Sequence, residues 1–149
     1  MSELTSGQYR DIFQSIYQYF DVSKDAEISL EANPGTVSPG DLADLRSIGF
    51  NRISYGVQSA NPEELRMLER IHSYTDVVDA LLWSRQAGFD NLNLDLIYGL
   101  PEQTLERWQQ TVNLIVGLRP EHISAYALTL EHGTPFGRWA ARGLLPVPD

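Results

Sequence analysis

The stretch Asn91–Pro101, NLNLDLIYGLP, limits what this chain can fold into more than any other part of it. Leu92, Leu94 and Leu96 alternate with Asn93, Asp95 and Ile97, which is the period of a strand rather than of a helix. Gly99 and Pro101 stop the run, and a helical pattern follows at once. One face of this strand is leucine; the other carries a carboxylate, Asp95, near the C-terminal end. In a parallel sheet that end is where ligands are held. Taken alone, Asp95 also suits a half-exposed strand with one solvated side chain. The recurrence of the same design on other strands weighs against that simpler reading.

From the N-terminus, Thr5 and Gln8 have the spacing of a capping box, and Tyr9, Ile12, Phe13, Ile16, Tyr17 and Phe20 follow at helical intervals as a core-facing stripe. Ala26–Ala32 predicts a strand with Ile28, Leu30 and Ala32 opposite Glu27, Ser29 and Glu31, stopped by the turn residues Asn33–Thr36. Ser38, Pro39 and Asp41 open a helix that Gly49 closes. Arg52–Gln58 is the next strand, and Asn61–Glu64 reads as a capping box starting a helix to about Ile71. A further helix spans about Ser73 to Gln86 and ends at Gly88. After the leucine strand, Thr104 or Glu102 caps a helix bearing Leu105, Trp108, Val112 and Ile115, and a last strand covers about His122–Leu130. Strands separated by helices indicate an α/β domain with a parallel sheet and right-handed crossovers.

The two faces of these strands differ in kind. A doubly wound sheet is buried on both faces and reads as nearly continuous Val, Ile and Leu. Here one face reads Ser29 and Glu31, then Ser54, Gly56 and Gln58, then Asn93 and Asp95, then Ser124 and Tyr126. Either this face is open to solvent or it lines a cavity filled by a large polar ligand. Unpaired burial of Glu31 and Asp95 would cost on the order of several kcal/mol each. The crowding of polar side chains at the C-terminal strand ends favours the ligand.

Composition narrows the function. The chain has 149 residues, suiting one domain, and a net charge of −9, which argues against unspecific binding to nucleic acid or an anionic membrane. With no secretory leader and no membrane-spanning apolar run, the sequence reads as cytoplasmic, without membrane insertion. Zero cysteines exclude disulfides, thiolate catalysis and Cys-ligated metal within this chain. The histidines His72, His122 and His132 have no ligand spacing to one another, so no metal site or catalytic residue is assigned.

The strings LEANPGT (Leu30–Thr36), NRISYGVQS (Asn51–Ser59) and DLIYGLPEQT (Asp95–Thr104) resemble the radical SAM family. The resemblance is closest to the branch containing oxygen-independent coproporphyrinogen III oxidase and the HemW-type haem chaperone. LERIH (Leu68–His72) and LTLEHGTPF (Leu128–Phe136) look more like the chaperone subgroup. The resemblance implies a partial TIM barrel holding S-adenosylmethionine across its C-terminal strand ends, with porphyrin or haem as further partners. It also implies a 4Fe-4S cluster that generates a 5′-deoxyadenosyl radical. Glu31, Gln58, Arg70 and Asp95 match the family's S-adenosylmethionine-contacting positions. Taken without the family, Arg70 would be a solvated charge near a helix end, and His72 a surface or capping residue.

The family's CxxxCxxC segment is absent from this sequence, which has no cysteine. Residues 1–149 therefore look like the central and C-terminal part of a radical SAM core, about four βα units without the cluster-binding half. Such a fragment would be inactive alone. The alternatives are a cluster-less S-adenosylmethionine- or haem-binding module without catalysis, and an unrelated βα enzyme domain. In a fragment the strand Ala26–Ala32 would be an open edge, which invites self-association.

Overall fold

The computed structural model describes residues 4–130, together with 137–138 and 142–143. Among them are five α-helices, α1 (Ser6–Tyr19), α2 (Pro39–Ile48), α3 (Pro62–Met67), α4 (Tyr74–Gln86) and α5 (Leu105–Gly117), and four strands, β1 (Ser29–Ala32), β2 (Arg52–Gln58), β3 (Leu92–Tyr98) and β4 (His122–Ala127). The sheet is parallel throughout, and its strand order β1-β2-β3-β4 is the order of the chain. This is the expected α/β layout of successive βα units. No helix among the described residues is long and apolar enough to cross a membrane.

One face of the sheet makes the core. Ile53, Tyr55, Val57, Leu92, Leu94 and Leu96 are buried there with Leu42, Phe50, Val77, Ala80, Phe89 and Ile115 from the helices and their connections. Burying each large apolar side chain contributes about 1.5–3 kcal/mol. The Ser84 hydroxyl donates to the Ala80 carbonyl at 2.7 Å, so in the 2.8 Å contact between the two hydroxyls Tyr55 donates to Ser84. At α1 the expected stripe is only partly used. Phe13 and Tyr9 pack on Phe50, with ring centroids 5.0 and 5.2 Å apart, while Ile12, Ile16, Tyr17 and Phe20 are exposed. The Phe13 ring also passes over Gly49, where a Cβ would lie 3.3 Å from it.

Three boundaries differ from expectation. β1 begins at Ser29 rather than Ala26, because the Asn51 side chain takes the ladder's place: its Oδ1 accepts from the Ile28 amide at 2.7 Å and its Nδ2 donates to the Ala26 carbonyl at 2.8 Å. α3 ends at Met67, not Ile71, because Glu69 adopts φ 55°. The Glu69 and Arg70 amides then bond the Arg66 and Leu65 carbonyls, closing a Schellman cap. β4 ends at Ala127 because β3 turns away at Gly99; Leu128 still donates its amide to the Tyr98 carbonyl. Most of the Leu128–Phe136 motif, with His132, lies outside the described residues.

Burial pushes the Tyr55 hydroxyl from 10.0 up to about 12. The folded chain thus keeps a proton that the unfolded chain releases, and the resulting stability is complete below pH 10 and lost as the pH approaches 12. Denaturant unfolding at successive pH values should show stability falling across this window by about 1.4 kcal/mol per unit at most. Tyr55→Phe should remove that slope; an unchanged slope would count against Tyr55 as its source.

Candidate functional site

The polar face of the sheet is organised in rows by the strand register. Glu31 lies beside Ser54, Ser54 beside Asn93 and Asn93 beside His122; one step on, Gly56 lies beside Asp95 and Asp95 beside Ser124. Towards the C-terminal strand ends these rows open into a cavity of about 430 Å³, lined by Glu31, Ala32, Asn33, Ser54, Gly56, Gln58, Arg70 and Asp95. All four residues singled out from the sequence, Glu31, Gln58, Arg70 and Asp95, face this one space. Tyr126, expected on the same face, is exposed and does not line it. A larger hollow of about 590 Å³ between α1 and α2 has Arg10 as its one charged lining residue and shares no residue with the first.

Each of the four side chains arrives differently. Asp95 is half-buried on β3 and accepts from Ser54 Oγ and Asn93 Nδ2, both at 2.7 Å, one on each carboxylate oxygen. Gln58 ends β2 at a register break, where the ladder passes from Gly56 opposite Asp95 to Gln58 opposite Leu96. Its φ of 69° and the 2.8 Å bond from the Ser59 amide to the Val57 carbonyl make a three-residue turn that re-aims its side chain over Gly56. A Cβ on Gly56 would stand 3.0 Å from Gln58 Nε2 and 3.5 Å from Asn33 Oδ1, so the glycine is the cavity's floor. Arg70 is the last residue of the Schellman cap of α3, and its guanidinium donates to Asn33 Oδ1 at 3.1 Å. Glu31 is exposed on β1, and its side chain makes no hydrogen bond or ion pair with another described residue.

Two supporting residues carried no signal in the sequence. His72 is buried, not a surface or capping residue; its Nε2–H donates to the Val57 carbonyl at 3.0 Å, and Gly35 packs on its Cβ. His72 thus joins the turn that carries Gln58, through its ring, to the loop that carries Arg70 and, through its Cβ, to the turn after β1. Glu64 was expected to complete a capping box, but Asn61 alone caps α3, through the Glu63 and Glu64 amides. Glu64 turns inward, 1% exposed, to accept from Ser59 Oγ at 2.5 Å and Gln103 Nε2 at 3.0 Å, while Gln103 Oε1 accepts from the Gly99 amide. This chain of bonds fixes the loop after β2 to the loop after β3. No group of three or more described His, Asp or Glu residues could hold a metal ion.

The sequence profile of the Radical SAM superfamily matches residues 5–115, and the chain belongs to that superfamily. Within it, the chain is 40% identical over 137 residues to the heme chaperone HemW of Synechocystis, a match covering 92% of this chain and 33% of that protein. It is 38% identical over 123 residues to the oxygen-independent coproporphyrinogen III oxidase of the same organism, covering 83% and 26% respectively. The solved coproporphyrinogen III oxidase HemN of Escherichia coli superimposes with a TM-score of 0.83 at 33% identity, covering 97% of this chain and 34% of that one. The chain therefore spans about a third of the length of these relatives.

Glu64→Ala should lower unfolding stability by about 1–3 kcal/mol, because it removes the acceptor of the buried Ser59 hydroxyl and of the half-buried Gln103 amide. The midpoint of urea unfolding measures this; an unshifted midpoint would show that the link between the two loops carries no energy.

Proposed function

We propose that this chain is the S-adenosylmethionine-binding part of a radical SAM protein of the haem chaperone or oxygen-independent coproporphyrinogen III oxidase type. The observation that carries the reading is the convergence of Glu31, Gln58, Arg70 and Asp95 on one cavity at the C-terminal ends of parallel strands. The donor set suits the ligand. A carboxylate has about four acceptor directions, and Ser54 and Asn93 take two of those on Asp95. One remains on each oxygen, which matches the two hydroxyls of a ribose diol. Gln58 adds a hydrogen bond to the sugar. Arg70 presents a forked cation to the methionine carboxylate, and Glu31 an unpaired carboxylate to the ammonium.

The residues present do not fit the iron–sulfur cluster, since the chain has no cysteine to ligate it. Such a cluster, which supplies the electron for S-adenosylmethionine cleavage in this family, would need ligands from outside these 149 residues. What the chain's own residues do is bind and orient: Asp95 and Gln58 hold the sugar, and Arg70 and Glu31 hold the amino acid. The chaperone reading is favoured over the oxidase by the LERIH and LTLEHGTPF strings. The second functional reading is a cluster-less binding module without catalysis, and it uses the same four residues.

Calorimetry on the chain should detect S-adenosylmethionine, with Asp95→Ala weakening binding about tenfold or more. Gly56→Ala should weaken it as well while changing stability by under about 1 kcal/mol, because its methyl displaces only the flexible tip of Gln58. Unchanged affinity in Asp95→Ala would sink its role. A haem titration followed by absorbance separates the branches, with binding favouring the chaperone. The sheet ends at β1 on one side and at β4 on the other among the described residues, and unpaired strand edges recruit further strands. Light scattering should therefore show self-association, and a clean monomer at high concentration would argue against it.

A further inference from the structure

Behind Asp95 lies a network of side chains that spans three strands; its members Asn93, His122 and Ser124 lie outside the cavity lining, and Ser54 belongs to both. Asn93 is 1% exposed on β3, and its Nδ2 donates to Asp95 Oδ1 and to Ser54 Oγ, both at 2.7 Å. Its Oδ1 meets His122 Nδ1 at 2.5 Å and accepts from Ser124 Oγ at 3.1 Å, both from β4. Ser54 in turn donates to Asp95 Oδ2 at 2.7 Å. Every polar atom of the Asn93 amide is therefore engaged, and only one orientation of that amide works. Turned over, it would set an oxygen against the acceptor-only Asp95 carboxylate. Because Asn93 Oδ1 can only accept, the His122 proton sits on Nδ1.

We infer that Asn93 is the positioning residue for Asp95, and that His122 and Ser124 lock the amide which does the positioning. The inference rests on the S-adenosylmethionine reading of this cavity and deepens it. Asp95 sits on a strand with two torsions of its own side chain free to turn. Donors on both of its oxygens remove that freedom before a ligand arrives, so the two remaining acceptor directions are presented together. β4 touches no part of the cavity. It acts on the ligand through two bonds, from His122 to Asn93 and from Asn93 to Asp95. A site that preorganises its carboxylate in this way does not spend ligand-binding energy on orienting it.

The test is a double-mutant cycle on the full chain, read by calorimetry with S-adenosylmethionine, with thermal melts as a control for folding. Asn93→Ala should weaken binding about tenfold. In an Asp95→Ala background the same change should cost less than about twofold, because its route to the ligand is gone. His122→Ala should weaken binding measurably, whereas His122→Asn, which returns an N–H donor at the position of Nδ1, should restore it. A ligand-free readout accompanies the cycle: the Asn93 side-chain amide in a 15N–1H NMR spectrum should shift on Asp95→Ala and on His122→Ala. Equal losses from Asn93→Ala with and without Asp95, or an Asn93 signal indifferent to both neighbours, would overturn the inference. If the native chain binds no S-adenosylmethionine, the reading of the cavity falls, and the positioning of Asp95 is decided by the amide signal alone.

Discussion

The whole structure depends on putting all of the sheet's oil on one side. Ile53, Tyr55, Val57, Leu92, Leu94 and Leu96 are each 0–1% exposed beneath the helices. In a parallel sheet, successive residues alternate faces and neighbouring strands run in step, so an apolar row on one side forces a polar row on the other. Ser54, Asn93 and Ser124 are polar because the helices have no further face to offer them. Their hydrogen bonds to one another then do laterally what hydrophobic packing does on the opposite side.

The site is a product of this division. Asp95 and Glu31 are tolerated because the C-terminal rim is half open, and because Asp95 is already bonded to Ser54 and Asn93. Loops hold the remaining parts. Asn33 Oδ1 accepts from the Arg70 guanidinium. His72 pins the Val57 carbonyl from behind, and with it the turn that throws Gln58 across Gly56. Three loops thus meet at one buried histidine.

What could be read from the sequence was whatever is periodic or punctuated by a residue with one meaning. The alternation in Leu92–Ile97 gave the strand, its two faces and the placing of Asp95. Gly49 and Gly88, both at positive φ, marked helix ends because glycine is the usual occupant of a Schellman cap. At the end of α3 the same cap is made by Glu69, whose left-handed backbone has no counterpart in its side chain, so the helix seemed to run on to Ile71. The left-handed Gln58 was invisible for the same reason. The four residues of the candidate site came from ordered family motifs. The residues that support them, His72, Glu64 and Asn51, act through contacts between segments that no local spacing encodes.

Strand order follows chain order here, and this has a kinetic consequence. As the chain is synthesised, each strand's partner has already been made: β2 finds β1, β3 finds β2, and β4 finds β3. After β1, no strand has to wait for a first partner encoded further downstream. Sheet growth can then proceed unit by unit in the direction of translation, as N-terminal elements fold first. Loop closure is limited to a single βα crossover at each step, which keeps the entropy of each addition small. At every stage the newest strand is an exposed edge, so the hazard of mispairing moves along the chain with synthesis.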